Sequence, residues 1–373
     1  MKEHIVCTTA GVLLLCLLAA PDNIFAATIH VPADKPTVQS AIDAAVSGDE
    51  ILIAEGTFSG PGNRDIELGG KRLDIHGLSR KTIIDCGGSS DEHHGAFILR
   101  ANDTGGYLVS LTITNAYYPV SGNDSGAITY FGGNYRLMYM NIENNNSHGI
   151  SVLGPAAPVM SDMKISYNAG WGMYMPGYPY LSVGVRLFYS QIDHNSLGGM
   201  ILSRAVEKTF VSNCTIADNG GDGLFLQGDL PMGSASYVWD TSTTVEKNVI
   251  AFNAHRGIHT SGFFTGIHYR KNLTYANPGG NQFSLNPDTA CMLNTDPLFC
   301  RTAADNEYKP STISPCLWQN NPCNAELGAL CDGCTTCCFG YRGNVDCDPF
   351  NNIDISDLTR FIDYGYISFA PLC

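Results

Sequence analysis

The chain is short of charge. Only 15% of its 373 residues are Asp, Glu, Lys or Arg, against about 25% in an average domain, which excludes a disordered polyelectrolyte and a coiled coil. Basic residues are the scarcer kind: 21 Lys and Arg stand against 35 Asp and Glu, a formal net charge of -14. A field of that sign repels phosphate backbones and anionic lipid, so nucleic acid is a poor partner, although a local basic patch still leaves polyanionic sugars open. No Gly-Lys phosphate loop, nucleophile elbow or dinucleotide fingerprint is found, and the chemistries those motifs carry lose their support. Cysteine is nearly missing from the long middle of the chain, where Cys86 and Cys214 stand alone before Cys291.

What is abundant is glycine, 40 residues, within a chain that is 44% apolar. That balance suits many short strands and turns. Residues 1–26 read as a secretory signal: Lys2, an apolar run from Ile5 to Ala20, and a cut after Ala26. Export follows, to the extracellular medium or cell surface, with no membrane insertion after cleavage. Removal of Cys7 and Cys16 leaves an even 12 cysteines, for which disulfides are the expectation in an oxidising compartment. Ten of them lie between Cys291 and Cys373, so a domain boundary is placed near residue 290.

The most informative pattern is Ile-x-x-Asn-x-x-x-Gly-apolar. It runs Ile142/Asn145/Gly149, Ile165/Asn168/Gly172, Ile192/Asn195/Gly199, Ile216/Asn219/Gly223 and Ile250/Asn253/Gly257, with a sixth copy at Leu273/Ala276/Gly280 in which the Asn is lost. Units of about two dozen residues are the mark of a solenoid. Each unit alternates apolar and polar residues as a half-buried strand does, and stacked turns would pair every backbone group at about 4.8 Å per step. Asn would bond the bend and tolerate a left-handed conformation there. Gly would serve where side chains collide. With this repeat the chain resembles the right-handed parallel β-helix proteins, the architecture of pectate lyases and polygalacturonases, over residues 27–290. The resemblance implies an all-β solenoid of about ten turns. Thr28–Val31 and Asp49–Phe58 read as strands around a helix at Pro36–Val46, whose face of Val38, Ile42 and Ala45 would plug the open N-terminal end.

Residues 291–338 look like the closing segment of secreted bacterial β-helix proteins, and pairings such as Cys291 to Cys300 and Cys316 to Cys323 would fasten loops over the other end. Cys331, Cys334, Cys337 and Cys338 form either disulfides or a zinc site. In residues 339–373, oxygen side chains at alternate positions followed by an amphipathic helix suit a Ca2+ loop. This tail resembles one half of a type I dockerin, the module that docks enzymes onto cohesins. The resemblance makes Asn344, Asp346, Asp348 and Asp357 the calcium ligands and a cohesin-like protein the partner; the alternative is an Asp/Asn-rich turn that caps a helix.

Residues just before each repeat Gly should stack in a column: His148, Trp171, Gly198, Asp222, Arg256. Asp222, Arg256 and His148 are the catalytic candidates, the acid for proton transfer and Arg256 for a uronate carboxylate. Trp171, Tyr174 and Trp239 are the sugar-stacking candidates, with Tyr178, Tyr180 and Tyr237 on the same rim. Ser147-His148-Gly149 and Asp222-Gly223 resemble stretches of polygalacturonases, without their second Asp pair or Arg-Ile-Lys. His93, His94, His255, His259 and His268 lack metal-ligand spacing. The expectation is a protein that binds or degrades an extracellular polysaccharide, as a lyase or glycoside hydrolase. The competing one is a non-catalytic structural or adhesion module of the cell surface.

Overall fold

The computed structural model describes residues 26–103, 105–120, 124–176, 184–203, 209–227, 243–262, 267–282, 288–300 and 308–330. Residues 1–25 of the leader, the tail with Asn344, Asp346, Asp348 and Asp357, the cysteines from Cys331 onward, and Tyr178, Tyr180, Tyr237 and Trp239 lie outside the described residues.

Among the described residues twenty-eight short strands assemble into three wholly parallel sheets of eleven, nine and eight strands. The chain visits the first, second and third sheet in turn and then starts again one step along the axis. The coil therefore has eight complete turns among the described residues, not ten, with the surplus strands at its ends. Asp49–Phe58 is not one strand: it breaks at Ala54 into Glu50–Ile53 of the first sheet and Gly56–Ser59 of the second. A solenoid must bend there to keep its cross-section closed.

The repeat isoleucines point inward. Ile142, Ile165, Ile192, Ile216 and Ile250 are all fully buried and in register down the second sheet. One bend further on, the Asn side chains form a continuous ladder from Asn145 through Asn168, Asn195, Asn219 and Asn253 to Asn277, each Nδ2 donating to the next Oδ1 at 2.8 to 3.0 Å. The sixth copy has kept its amide. Ile250 pairs with Thr274 rather than Leu273, which moves the repeat by one residue and brings in Asn277. The left-handed residue is not the ladder Asn but the one before it: Asn144, Tyr167, His194, Asp218 and Phe252 all have φ between 52 and 60°. That leaves the amide aimed inward while its neighbour turns the corner. A second, shorter ladder at the other bend, Asn248 to Asn272 at 3.0 Å, was not foreseen.

The helix Val38–Ala44 forms as expected, with a capping box between Thr37 and Ser40. It buries Val38, Ala41 and Ile42 against the first strands. At the other end the cysteine pairing differs from the expectation. Cys291 bonds Cys323, so Cys300, itself disulfide-bonded, is not its partner, and Cys316 is free and buried. The reason is the route of residues 308–330, which lie along the flank of the second sheet rather than over its end. Cys316, Cys323, Ala325 and Leu327 pack there on Val249, Ala251 and Leu273, and the N–H of Ala329 donates to Thr215 Oγ1 at 3.0 Å. Cys86 and Cys214 are free as well, buried in different turns; a solenoid separates in space what is distant in sequence.

Candidate functional site

The outer face of the third sheet carries the column foreseen before each Gly. Register places His148, Trp171, Gly198, Asp222 and Arg256 in file, one turn apart. Glycines follow because the backbone turns inward at once. A Cβ on Gly199 would fall 2.4 Å from the Gly223 carbonyl and 2.6 Å from Ile216 Cγ2. Three residues beyond the column runs a second outward row: Ser151, Tyr174, Ile201, Phe225 and His259. Together the two rows define a strip of polar and aromatic side chains parallel to the axis.

The strip divides the candidates into two groups. Three stacking steps, about 14 Å, separate His148 from Asp222. His148 is buried, takes the Trp171 backbone N–H on Nδ1 at 3.0 Å, and stacks on Tyr174 with centroids 4.2 Å apart. Desolvation lowers its pKa to about 4, so it is a neutral acceptor at neutral pH. The Tyr174 hydroxyl donates to Asp124 Oδ1 at 3.1 Å. Trp171 leans along the axis over the next turn, where a Cβ on Gly198 would lie 2.2 Å from its Cζ3.

The second group is the chemically richer one. Asp222 Oδ1 accepts the Arg256 backbone N–H at 3.0 Å, and Oδ2 meets His259 Nδ1 at 2.6 Å. A carboxylate oxygen can only accept, so Nδ1 carries the proton and the lone pair of neutral His259 is left on Nε2. Arg256 Nη1 lies 3.7 Å from Asp222 Oδ2 and 3.2 and 3.5 Å from the two ring nitrogens. The guanidinium is thus nearly equidistant from the two ring nitrogens. Phe225 stacks on His259 at 4.2 Å and 6°. Beside the cluster a shallow depression of about 380 Å3 is lined by Ala254, His255, Arg256, Pro278 and Gly279.

Asp222 and Arg256 are thus brought together, with Trp171 two turns away, and His148 is not. His259 joins them, although its spacing from the other histidines gives no metal-ligand pattern. The signal was present in the repeat: Ile258 points into the core, so the next residue of the strand, His259, faces outward. Among the described residues no group of three metal-ligating side chains converges.

Residues 120–290 match the family model described as right handed beta helix region. The coil is a right-handed parallel β-helix. Its sheets extend that architecture back to Thr28. Among solved structures, pectate lyase Pel9A aligns with a TM-score of 0.54 at 13% identity, over 73% of this chain and 78% of that one. A mutant of a periplasmic alginate epimerase aligns with a TM-score of 0.38 at 10% identity, over 72% and 83%. The catalytic domain of an alpha-1,3-glucanase aligns at 0.23 and 13%, over 74% and 69%. No curated protein matches the chain.

Proposed function

We propose that this β-helix binds a polysaccharide along the outer strip of its third sheet and cleaves it at the Asp222, Arg256 and His259 cluster. The observation that carries the reading is the contact of Asp222 Oδ2 with His259 Nδ1 at 2.6 Å beside Arg256. Asp222 fixes the tautomer that turns Nε2 into a base, the orienting role a carboxylate plays for a reactive imidazole. With a uronate in place, Arg256 would offset the carboxylate charge while Nε2 takes the proton from the adjacent carbon. The electron pair then forms the double bond, the glycosidic C–O bond breaks, and water protonates the leaving oxygen. Two-carboxylate hydrolysis needs a second acid about 5 to 10 Å away, and Asp222 is the acid of this cluster among the described residues. Trp171 and Tyr174 would supply the flat surfaces on which sugar rings stack. The likeness to pectate lyase Pel9A concerns the fold, and the substrate class rests on these side chains.

A second reading is favoured by the shallowness of the depression beside Arg256: a non-catalytic surface that holds the polymer without cutting it. Export through residues 1–26 and tethering through a Ca2+-loaded tail with Asn344, Asp346, Asp348 and Asp357 belong to the same proposal. The test is incubation with polygalacturonate, alginate and neutral glycans, following unsaturated products by ultraviolet absorbance and new reducing ends by titration. Unsaturated products that disappear in His259→Gln support cleavage. Binding without products in any arm selects the second reading.

A further inference from the structure

The column that ends at Arg256 begins with another arginine. Following the register back from His148 through Gly126 and Gly95 leads to Arg64. Arg64 and Arg256 therefore stand on one line, seven stacking steps and about 34 Å apart. Around Arg64 one element of the other end recurs, an aspartate–histidine contact across turns, while the Arg64 guanidinium itself reaches Cys86 O at 3.3 Å and Glu92 at 3.6 Å. Asp65 Oδ2 meets His94 Nδ1 at 2.5 Å, an aspartate in one turn reaching a histidine in the next, as Asp222 reaches His259. The second oxygen, Asp65 Oδ1, accepts a backbone N–H, that of Gly95 at 2.9 Å, as Asp222 Oδ1 accepts that of Arg256.

Three features of this end would engage a ligand once the exposed Glu92 side chain swings aside. His94 Nε2 is shielded from solvent and has no hydrogen-bond partner. Glu92, 68% exposed, lies over it at 3.6 Å, and the same oxygen is 3.6 Å from Arg64 Nη2. Exposed His93 stacks on Tyr117 with centroids 5.6 Å apart and adds an aromatic platform. A movable carboxylate, an unpaired imidazole nitrogen and a stacked ring are what hydroxyl-rich sugar rings engage.

We infer that Arg64, Asp65, Glu92 and His94 form a second carbohydrate-contacting site, at the far end of the strip from Asp222, so that one polysaccharide chain lying parallel to the axis engages both. The inference rests on the polysaccharide reading and adds to it a requirement of length. A fragment that spans both ends gains the second contact intramolecularly, and its affinity rises without new chemistry at the first.

The test is calorimetry of the full chain with oligogalacturonates and cello-oligosaccharides graded from well under to well over 34 Å, the length estimated above. We expect the long members of one series to bind at least about tenfold more tightly than the short ones. Glu92→Ala should erase that gain and leave the short members within about twofold. His94→Ala should do the same, and Glu92, being exposed, keeps the test clear of misfolding. If long and short fragments bind alike, or if Glu92→Ala leaves the length dependence intact, the second site is refuted while the Asp222 cluster stands. If no fragment binds the wild-type chain, the polysaccharide reading fails and this inference falls with it.

Discussion

Asp222 and His259, 37 residues apart in sequence, meet at 2.6 Å because a single stacking step separates their turns. The same step carries the Asp222 carboxylate to the backbone N–H of Arg256. Helical winding thus converts a sequence separation of one repeat into a hydrogen-bond distance, and the chemistry proposed for this protein depends on that conversion.

Asp222→Asn keeps the size of the side chain and removes the charge that holds Nδ1–H of His259. Turnover of the cleaved polysaccharide should fall by about 100-fold or more, the usual worth of an oriented general base. Affinity for the polymer should change far less. Initial rates of unsaturated-product formation beside equilibrium binding separate the two, and equal losses in both would contradict an orienting role.

The ladder predicts a stability loss that depends on position. Asn195 Oδ1 accepts from Asn168 N and Nδ2, and its own Nδ2 donates to Ile165 O and Asn219 Oδ1, all at 2.8 to 3.2 Å and all buried. Asn195→Leu strands those groups, each at about 1–3 kcal/mol, so the urea midpoint should drop by far more than for Asn277→Leu at the partly exposed end. Equal midpoints for the two variants would deny the ladder its role.

His148 makes stability depend on pH. Its folded pKa of about 4 lies below the ordinary 6.5 because burial disfavours the imidazolium. The unfolded chain therefore binds the extra proton between those values, and stability falls as pH drops through that window. The contribution is fully present above pH 6.5 and on the order of 3 kcal/mol. In His148→Gln, denaturation midpoints between pH 4 and 6.5 should vary less steeply than in the wild type; an unchanged slope would assign the effect elsewhere.

Gly198→Ala tests the stacking surface at a backbone position with φ of +156°, where a Cβ also adds strain of its own. The new methyl would fall 2.2 Å from Trp171 Cζ3 and push the indole off the strip. The tryptophan emission should shift, and sugar affinity should drop about tenfold, or 1.4 kcal/mol. Circular dichroism should stay that of the parent, and unaltered affinity alongside a shifted emission would remove Trp171 from the binding surface.

Much of the coil was legible because a solenoid is quasi-one-dimensional: each repeat meets only its neighbours, so periodicity in sequence is periodicity in space. The column from His148 to Arg256 could be written down on that ground. Position along the axis is less legible. His148 and Asp222 share a column yet lie three steps apart, and a column by itself does not say how far along it two members fall unless the intervening turns are counted. The sixth copy was misread by one residue because Leu273 and Thr274 compete for the inward position, and only strand pairing chose Thr274. His259 belongs to a second outward row that ligand spacing does not mark and that strand pairing brings into register with Phe225.

The sequence by itself determined the winding: Ile every turn for the core, Asn at the bend to bond buried backbone, and Gly where the next turn's carbonyl leaves no room for a Cβ. These are local demands repeated at each step, and they hold wherever the turn sits. The tertiary structure alone decided the direction of the long side chains, the lean of Trp171 over Gly198, the reach of Asp222 and Asp65 to histidines one turn on, and the path of residues 308–330 that pairs Cys291 with Cys323. Those outcomes depend on which groups face each other across turns and on the space left between them, and neither quantity is written in the spacing of a repeat.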